Sequence, residues 1–128
     1  MGKELEKINE VSFRVIGACV EVHKSLGCGL LESAYRKCLE SEFRSSGLEF
    51  KSELEVPVVY KGVRVDKAYR LDFLIEDLVI LEIKSVHELC TKHKMQLLTY
   101  LRLANKKLGL LVNFGKPMLK QGIVRVIN

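Results

Sequence analysis

Hydrophobic residues in the first third of the chain recur at steps of three and four, the spacing of one face of a helix. In residues 8–26 they form a single stripe, which comprises Ile8, Val11, Val15, Cys19, Val22 and Leu26. Gly27 and Gly29 interrupt this stripe, and a second periodic segment covers residues 30–44 before Gly47. The pattern predicts two helices joined at a short turn that contains glycine.

The middle of the chain changes to alternation of apolar and polar residues, which is typical of strands. Residues 54–60 form the first such run and end at Lys61 and Gly62. Two further runs, residues 69–75 and 79–84, are separated by only three residues and predict a hairpin.

Helical spacing returns in residues 91–107, where Thr91 is expected to be the N-cap and Lys106 and Lys107 to lie at the negative end of the helix dipole. Residues 108–114 and 123–127 predict two final strands. The order ααβββαββ, with no repeat or linker-like segment, predicts one domain over residues 1–128. We expect an α/β fold in which helices flank a central mixed β-sheet.

Side chains alternate between the two faces of a strand, so the hairpin strands each have one apolar face and one partly charged face. The partly charged faces comprise Arg70, Asp72 and Leu74 on one strand and Ile80, Glu82 and Lys84 on the other. A two-residue turn would oppose Asp72 to Leu81 and mix the two faces. A three-residue loop at residues 76–78, or an equivalent bulge, opposes Asp72 to Glu82, Arg70 to Lys84 and Phe73 to Leu81, and we expect this register.

Asp72 and Glu82, placed opposite each other, would repel unless a cation or a proton lay between them. Carboxylate oxygens with room for water and phosphate suit Mg²⁺ or Mn²⁺, and Lys84 could orient a water or stabilise negative charge. This is the chemistry that phosphodiester hydrolysis needs. The plainer interpretation is a set of cross-strand salt bridges on a solvated sheet face.

Two helices carry further candidate residues. Glu32 and Tyr35 are three residues apart and share a helix face, close to Gly29, so that Glu32 could complete a metal site; alternatively they are a surface Glu and a packing Tyr. His93, Gln96 and Tyr100 form a narrow stripe suited to phosphate or base contacts, or simply a polar boundary.

Composition adds constraints on class and location. With 48% hydrophobic and 29% charged residues the chain is typical of folded proteins, and its net charge of +5 favours a polyanionic partner. No apolar run approaches the roughly 20 residues of a membrane span, and no secretory signal is visible, so we expect a cytoplasmic protein. The four cysteines are expected to be reduced core residues; a zinc site at His87, Cys90 and His93 is the less favoured alternative.

The motifs Asp72, Glu82-Ile83-Lys84 and Gln96-x-x-x-Tyr100 together resemble the PD-(D/E)XK nuclease superfamily in its RecB-like form. Gly29-x-x-Glu32-x-x-Tyr35 resembles, more narrowly, the signature of the GxxExxY protein family. The resemblance extends over nearly the whole chain and implies a restriction-endonuclease-like core. Leu71 precedes Asp72 where the superfamily name has proline.

The resemblance also implies roles for individual residues. Glu32, Asp72 and Glu82 would be the metal ligands and, with Lys84, the catalytic set. Gln96 and Tyr100 would lie on the substrate side, together with Tyr35 and His93. The implied cofactor is Mg²⁺ or Mn²⁺, and the implied substrate is nucleic acid, with DNA favoured.

Three functional hypotheses follow. The preferred one is a metal-dependent endo- or exodeoxyribonuclease. The second is a catalytically silent module with a nuclease fold that binds nucleic acid or a protein partner. The third is a protein with no nucleic-acid role, whose acidic cluster binds metal structurally. Because cleavage of a duplex needs two active sites, a homodimer is also expected.

Overall fold

The computed structural model describes residues 2–128, in which the predicted order of helices and strands is confirmed. The α-helices in this range are Gly2–Leu26 (α1), Glu32–Ser45 (α2) and Thr91–Ala104 (α3). The strands are Phe50–Tyr60 (β1), Val63–Ile75 (β2), Val79–Lys84 (β3), Leu108–Asn113 (β4) and Ile123–Ile127 (β5), with a 3₁₀ turn at Leu119–Gly122 before β5. None of the helices in residues 2–128 has the length and apolarity needed to cross a membrane.

The five strands form one mixed sheet in the order β1-β2-β3-β4-β5. Neighbouring strands are antiparallel except β3 and β4, which run parallel and are connected through α3. A parallel pair needs such a crossover, because its second strand must start at the same end as the first. The α/β class with a mixed central sheet is therefore confirmed.

Helices cover both faces of the sheet. On one face α1 and α2 pack against β2, β3 and β4, and the largest fully buried side chains of this layer are those of Tyr35, Phe43, Phe73 and Phe114. On the other face α3 contributes Leu97 and Leu101 to a smaller cluster that includes Leu74, Ile80 and Leu111. β3 is buried from both sides, which explains its nearly continuous apolar sequence.

The ends of α3 differ from the prediction. Cys90, not Thr91, is the N-cap, and the ring of His93 accepts a hydrogen bond from the Cys90 backbone N–H (3.1 Å). The helix ends at Ala104 because Asn105 adopts a left-handed conformation with φ of 54°. Lys106 and Lys107 therefore lie beyond the helix.

The strands β1 and β2 are longer than predicted and extend past the rest of the sheet. β2 pairs with β3 only over residues 73–75, whereas it pairs with β1 along almost its whole length. We call residues 57–68, the outer part of this hairpin, the arm; none of its residues is buried. Three of its side chains, Val59, Tyr60 and Val63, are each at least 60% exposed.

Strict alternation along β2 predicts that Leu71 shares the apolar face of Phe73 and Ile75, and this prediction is wrong. Leu71 packs in the α3 cluster with Leu74, whereas Phe73 packs on the opposite face against α2. The regular alternation is broken at Asp72, where the β2–β3 ladder ends and the neighbouring Glu53 of β1 has a positive φ of 49°.

The cysteines are all unpaired, but only part of the prediction for them holds. Cys19 is buried, and burial raises the pKa of its thiol to about 12. Cys38 is half-buried. Cys28 and Cys90 are exposed, because they lie in the turn after α1 and at the start of α3, outside the packed layers.

Candidate active site

Asp72 and Glu82 meet where the hairpin ladder ends. The observed register pairs Phe73 with Leu81, Leu74 with Ile80 and Ile75 with Val79, as a three-residue loop requires. Glu76 and Asp77 make this loop possible by adopting left-handed conformations, with φ of 53° and 56°. One step beyond Phe73 and Leu81, the same register brings Asp72 opposite Glu82.

The two carboxylates are held by hydrogen bonds that cross between the strands. The backbone N–H of Asp72 donates to Oε2 of Glu82 (2.7 Å), and the backbone N–H of Ile83 donates to Oδ2 of Asp72 (2.9 Å). Each side chain thus replaces a regular ladder contact with a bond to the other strand. The second oxygen of each carboxylate, Oδ1 and Oε1, is left available for another ligand.

Burial makes this pair electrostatically costly. Glu82 is only 5% exposed, and desolvation followed by repulsion from Asp72 raises its pKa to about 8. Burial also raises the pKa of the half-buried Asp72, against the opposing effects of the Ile83 N–H and nearby basic side chains. Near neutral pH the pair needs either a proton or a cation.

Lys84 lies near both carboxylates. It is half-buried at the end of β3, and its positive charge lowers the pKa of both Asp72 and Glu82. The predicted pairing of Arg70 with Lys84 is not part of the ladder, which ends at residue 73. Arg70 instead forms an ion pair with Glu53 on β1 (3.5 Å), which avoids opposing two positive charges.

Glu32 and Arg36 are four residues apart on α2 and so share one side of that helix. The negative charge of Glu32 raises the pKa of Glu82, and the positive charge of Arg36 lowers that of Asp72. Within residues 2–128, however, no three His, Cys, Asp or Glu side chains are arranged to hold a metal together. The structure brings Asp72 and Glu82 together but does not complete the predicted ligand set with Glu32.

From α3, Tyr100 reaches the same site. Burial raises the pKa of its hydroxyl, and the charges of Glu82 and Asp72 raise it further. Its ring stacks on Tyr69 of β2 with 4.8 Å between centroids and 20° between planes. Tyr69 and Arg36 are not among the residues predicted from the sequence, although the position of Arg36, one helical turn after Glu32, was a usable signal.

The remaining predicted site residues lie elsewhere or have local roles. Tyr35 is fully buried, stacks on Phe114, and donates a hydrogen bond to the Gly27 carbonyl (2.6 Å), so in this structure it offers no surface to a ligand. His93 is half-buried and caps α3. Gln96 is exposed on α3, one turn before Tyr100.

A cavity of about 850 Å³ lies elsewhere, between the end of α2 and the β2–β3 turn. Its lining includes Arg44, Phe50 and Glu76, but neither Asp72 nor Glu82. The candidate site is therefore recognised by its charges and hydrogen bonds, on the more open surface where α2, α3 and the hairpin meet.

The comparison with protein families agrees with this arrangement. The family model described as the PD-(D/E)XK nuclease superfamily matches residues 9–126, nearly the whole chain. The chain belongs to the PD-(D/E)XK nuclease superfamily. This confirms the resemblance at the level of the superfamily, while membership of the narrower GxxExxY family stays a prediction.

Two further comparisons are less informative about function. No curated protein matches this superfamily member. Among solved structures, the crystal structure of SSO0001 is similar, with a TM-score of 0.56 and 24% sequence identity. The match covers 76% of this chain and 52% of that one, so the chain spans about half the length of SSO0001. The likeness supports the fold alone.

Proposed function

We propose that this chain is a nuclease that depends on a divalent cation, Mg²⁺ or Mn²⁺, and hydrolyses phosphodiester bonds in nucleic acid. The observation that carries the proposal is the Asp72–Glu82 pair, in which a half-buried and a buried carboxylate from adjacent strands lie together and each keeps one oxygen without a hydrogen bond. Hard oxygen ligands of this kind suit Mg²⁺ or Mn²⁺. Superfamily membership supports the same assignment.

The cation would supply positive charge to stabilise the anionic transition state. Asp72 and Glu82 would hold it, and Glu32, whose negative charge raises the pKa of Glu82, is the candidate for a further ligand. The ammonium group of Lys84 would orient the attacking water or stabilise developing charge on the phosphate. Tyr100, with Gln96 and His93 on the same helix, would contact the bound strand.

The substrate within this proposal is DNA. A net charge of +5 favours a polyanion, although it does not distinguish DNA from RNA. Because each chain has a single carboxylate pair, cutting both strands of a duplex would require two chains, so we also propose a homodimer. Light scattering from the free protein, with and without a DNA duplex, tests that part separately.

The test of the nuclease proposal is cleavage of labelled linear and circular DNA, and of an RNA of the same sequence, with Mg²⁺, Mn²⁺ or EDTA. We expect cleavage of DNA that requires the metal and is abolished by Asp72→Asn or Lys84→Ala, a loss of at least about 100-fold. Lys94→Ala, on the exposed side of α3, is the matched control and should stay active. Undiminished cleavage in both site variants would refute the assignment, and binding without cleavage would favour a silent module.

A further inference from the structure

Arg36 combines burial with unused hydrogen-bonding capacity. Its side chain is only 13% exposed, although it belongs to a helix at the surface. Within the described part of the chain, its Nε is buried without any hydrogen-bond partner. An N–H group in this state has lost water without gaining a hydrogen bond, which is unfavourable unless another group supplies an acceptor.

The ion pair that Arg36 forms does not supply the missing hydrogen bond. Glu53 approaches its guanidinium at 3.9 Å, which is at the limit of an ion pair and too long for a hydrogen bond. The same carboxylate is also paired with Arg70 at 3.5 Å. Two arginines therefore share one glutamate, and neither has that carboxylate to itself.

We propose that Arg36 binds a phosphate group of the nucleic-acid strand that lies across the Asp72–Glu82 pair. This inference rests on the proposed function and assigns a substrate contact to it. A guanidinium presents its donors as a planar fork that matches two phosphate oxygens. Nε is buried in the free protein, so an outward rotation of the Arg36 side chain on binding would bring it into such a fork. Arg36 lies close to the carboxylates, because its partner Glu53 stands beside Asp72 in the β1–β2 ladder.

The competing explanation is structural, in which Arg36 only ties α2 to β1 through Glu53. Two variants separate these roles. Arg36→Ala removes both the ion pair and the proposed phosphate contact, whereas Glu53→Gln breaks the ion pair but keeps the guanidinium. Arg44→Ala is the control for charge, because it removes one positive charge from the exposed side of the same helix.

The experiment measures binding of a short fluorescent DNA duplex by anisotropy over a range of salt concentrations in EDTA. Chelation prevents metal-dependent cleavage, so the result does not depend on catalysis. We expect Arg36→Ala to weaken binding about tenfold. Losing one phosphate contact should also reduce the slope of log affinity against log salt by about 0.9.

The other variants distinguish a phosphate contact of Arg36 from effects of net charge or of the ion pair with Glu53. Arg36→Lys should keep the salt slope and lose only about threefold in affinity, because it retains the charge but not the fork. Arg44→Ala and Glu53→Gln should bind at least as well as the Arg36→Lys variant. Circular dichroism confirms that each variant is folded, and Arg36→Lys serves as the test if the alanine variant is not.

Equal losses in Arg36→Ala and Arg44→Ala would overturn the proposal, since they would reflect net charge alone. Equal losses in Arg36→Ala and Glu53→Gln would also overturn it, in favour of the structural role. An unmodified protein that does not bind DNA in EDTA overturns it as well. Failure of the nuclease assignment is recognised separately, as absence of metal-dependent cleavage by a protein that does bind.

Discussion

Two backbone hydrogen bonds decide how Asp72 and Glu82 are presented. Each carboxylate is anchored through one oxygen to the opposite strand, so its position is fixed by the hairpin and not by a flexible side chain. Such preorganisation lowers the cost of arranging ligands around a cation. It also forces two acidic groups into a buried position, where the absence of a cation is costly.

This cost predicts an unusual dependence of stability on pH. The pKa of Glu82 is raised from 4.5 to about 8, so between these values the folded protein binds more protons than the unfolded chain. Protonation of Glu82 therefore contributes its whole stabilisation of the fold below about pH 4.5, and this contribution is lost as the pH rises towards 8. Because one pKa unit corresponds to about 1.4 kcal/mol, urea unfolding in EDTA should show an unfolding free energy lower by up to about 5 kcal/mol above this window than at its acid end.

Glu82→Gln is the control for this prediction, because the amide keeps the shape of the side chain without titrating. Its unfolding free energy should vary much less with pH over the same window. Adding Mg²⁺ should restore stability to the unmodified protein at the alkaline end, since a ligand that binds only the folded state stabilises it. A stability that rises with pH in EDTA would contradict the assignment of Glu82 as a buried, protonated group.

At this scale the sequence was informative about pairs within the hairpin and less so about contacts between elements. The pleat and the apolar faces were sufficient to predict that Asp72 opposes Glu82, because a different register would have buried charge against Leu81. Arg36 and Tyr69 were missed because each reaches the site through its partners on another element. Tyr35 shows the converse, since its spacing from Glu32 indicated a shared face but its hydroxyl closes the turn at Gly27.

At the scale of elements, the segment between β3 and α3 is held against the end of β4. The Asn113 amide donates to the Val86 carbonyl (2.8 Å), and its Oδ1 accepts from the N–H groups of Val86 (3.0 Å) and Gly115 (2.9 Å). These bonds fix the chain just after Lys84. The position of Lys84, the proposed catalytic lysine, therefore depends on residues outside the proposed site.

A substitution at Gly115 tests whether the contacts between Asn113 and Val86 stabilise the fold. A Cβ atom at this position would lie 2.3 Å from the Val86 carbonyl oxygen, which belongs to the backbone and cannot rotate away. We expect Gly115→Ala to lower the unfolding free energy by about 1 to 3 kcal/mol. Gly17→Ala is the matched control, because its Cβ meets nothing within 4 Å inside α1, and it should stabilise by up to about 1 kcal/mol. Equal effects of the two substitutions in urea unfolding would contradict this account.

The element boundaries show which signals in the sequence are reliable. Periodicity identified every helix and strand in the right order, because each element has an apolar face to bury. The ends were less predictable, since α3 stops at Asn105 through a backbone conformation that periodicity does not report. The length of β2 was underestimated even though Val63, Arg64, Val65 and Asp66 alternate as a strand should.

At the scale of the whole molecule, the arm stands apart from the two packed layers. Residues 57–68 pair only within their own hairpin. Arg64 forms an ion pair with Asp66 inside the arm, and Lys67 forms one with Glu55 just outside it. A two-stranded hairpin without a packed face is only marginally stable in water. The arm should therefore open more readily than the sheet that holds the site.

Hydrogen exchange followed by mass spectrometry measures this difference. Amides of the arm should exchange by local opening, at least about 100-fold faster than those of β3 and β4, which are buried on both faces. Peptides from β3 and β4 are the internal reference in the same sample. Equal protection of the arm and the central strands would contradict the view that the arm lies outside the cooperative core.

Whether a divalent cation binds between Asp72 and Glu82 can be observed directly by locating the metal. Crystals of the protein with Mn²⁺ and a short DNA oligonucleotide would locate the ion by its anomalous scattering. We expect a Mn²⁺ peak in contact with both Asp72 and Glu82, with a phosphate of the oligonucleotide beside it, and no peak at this position in Asp72→Asn crystals. Mn²⁺ bound at another acidic cluster, with the Asp72–Glu82 pair empty beside bound DNA, would contradict the claim.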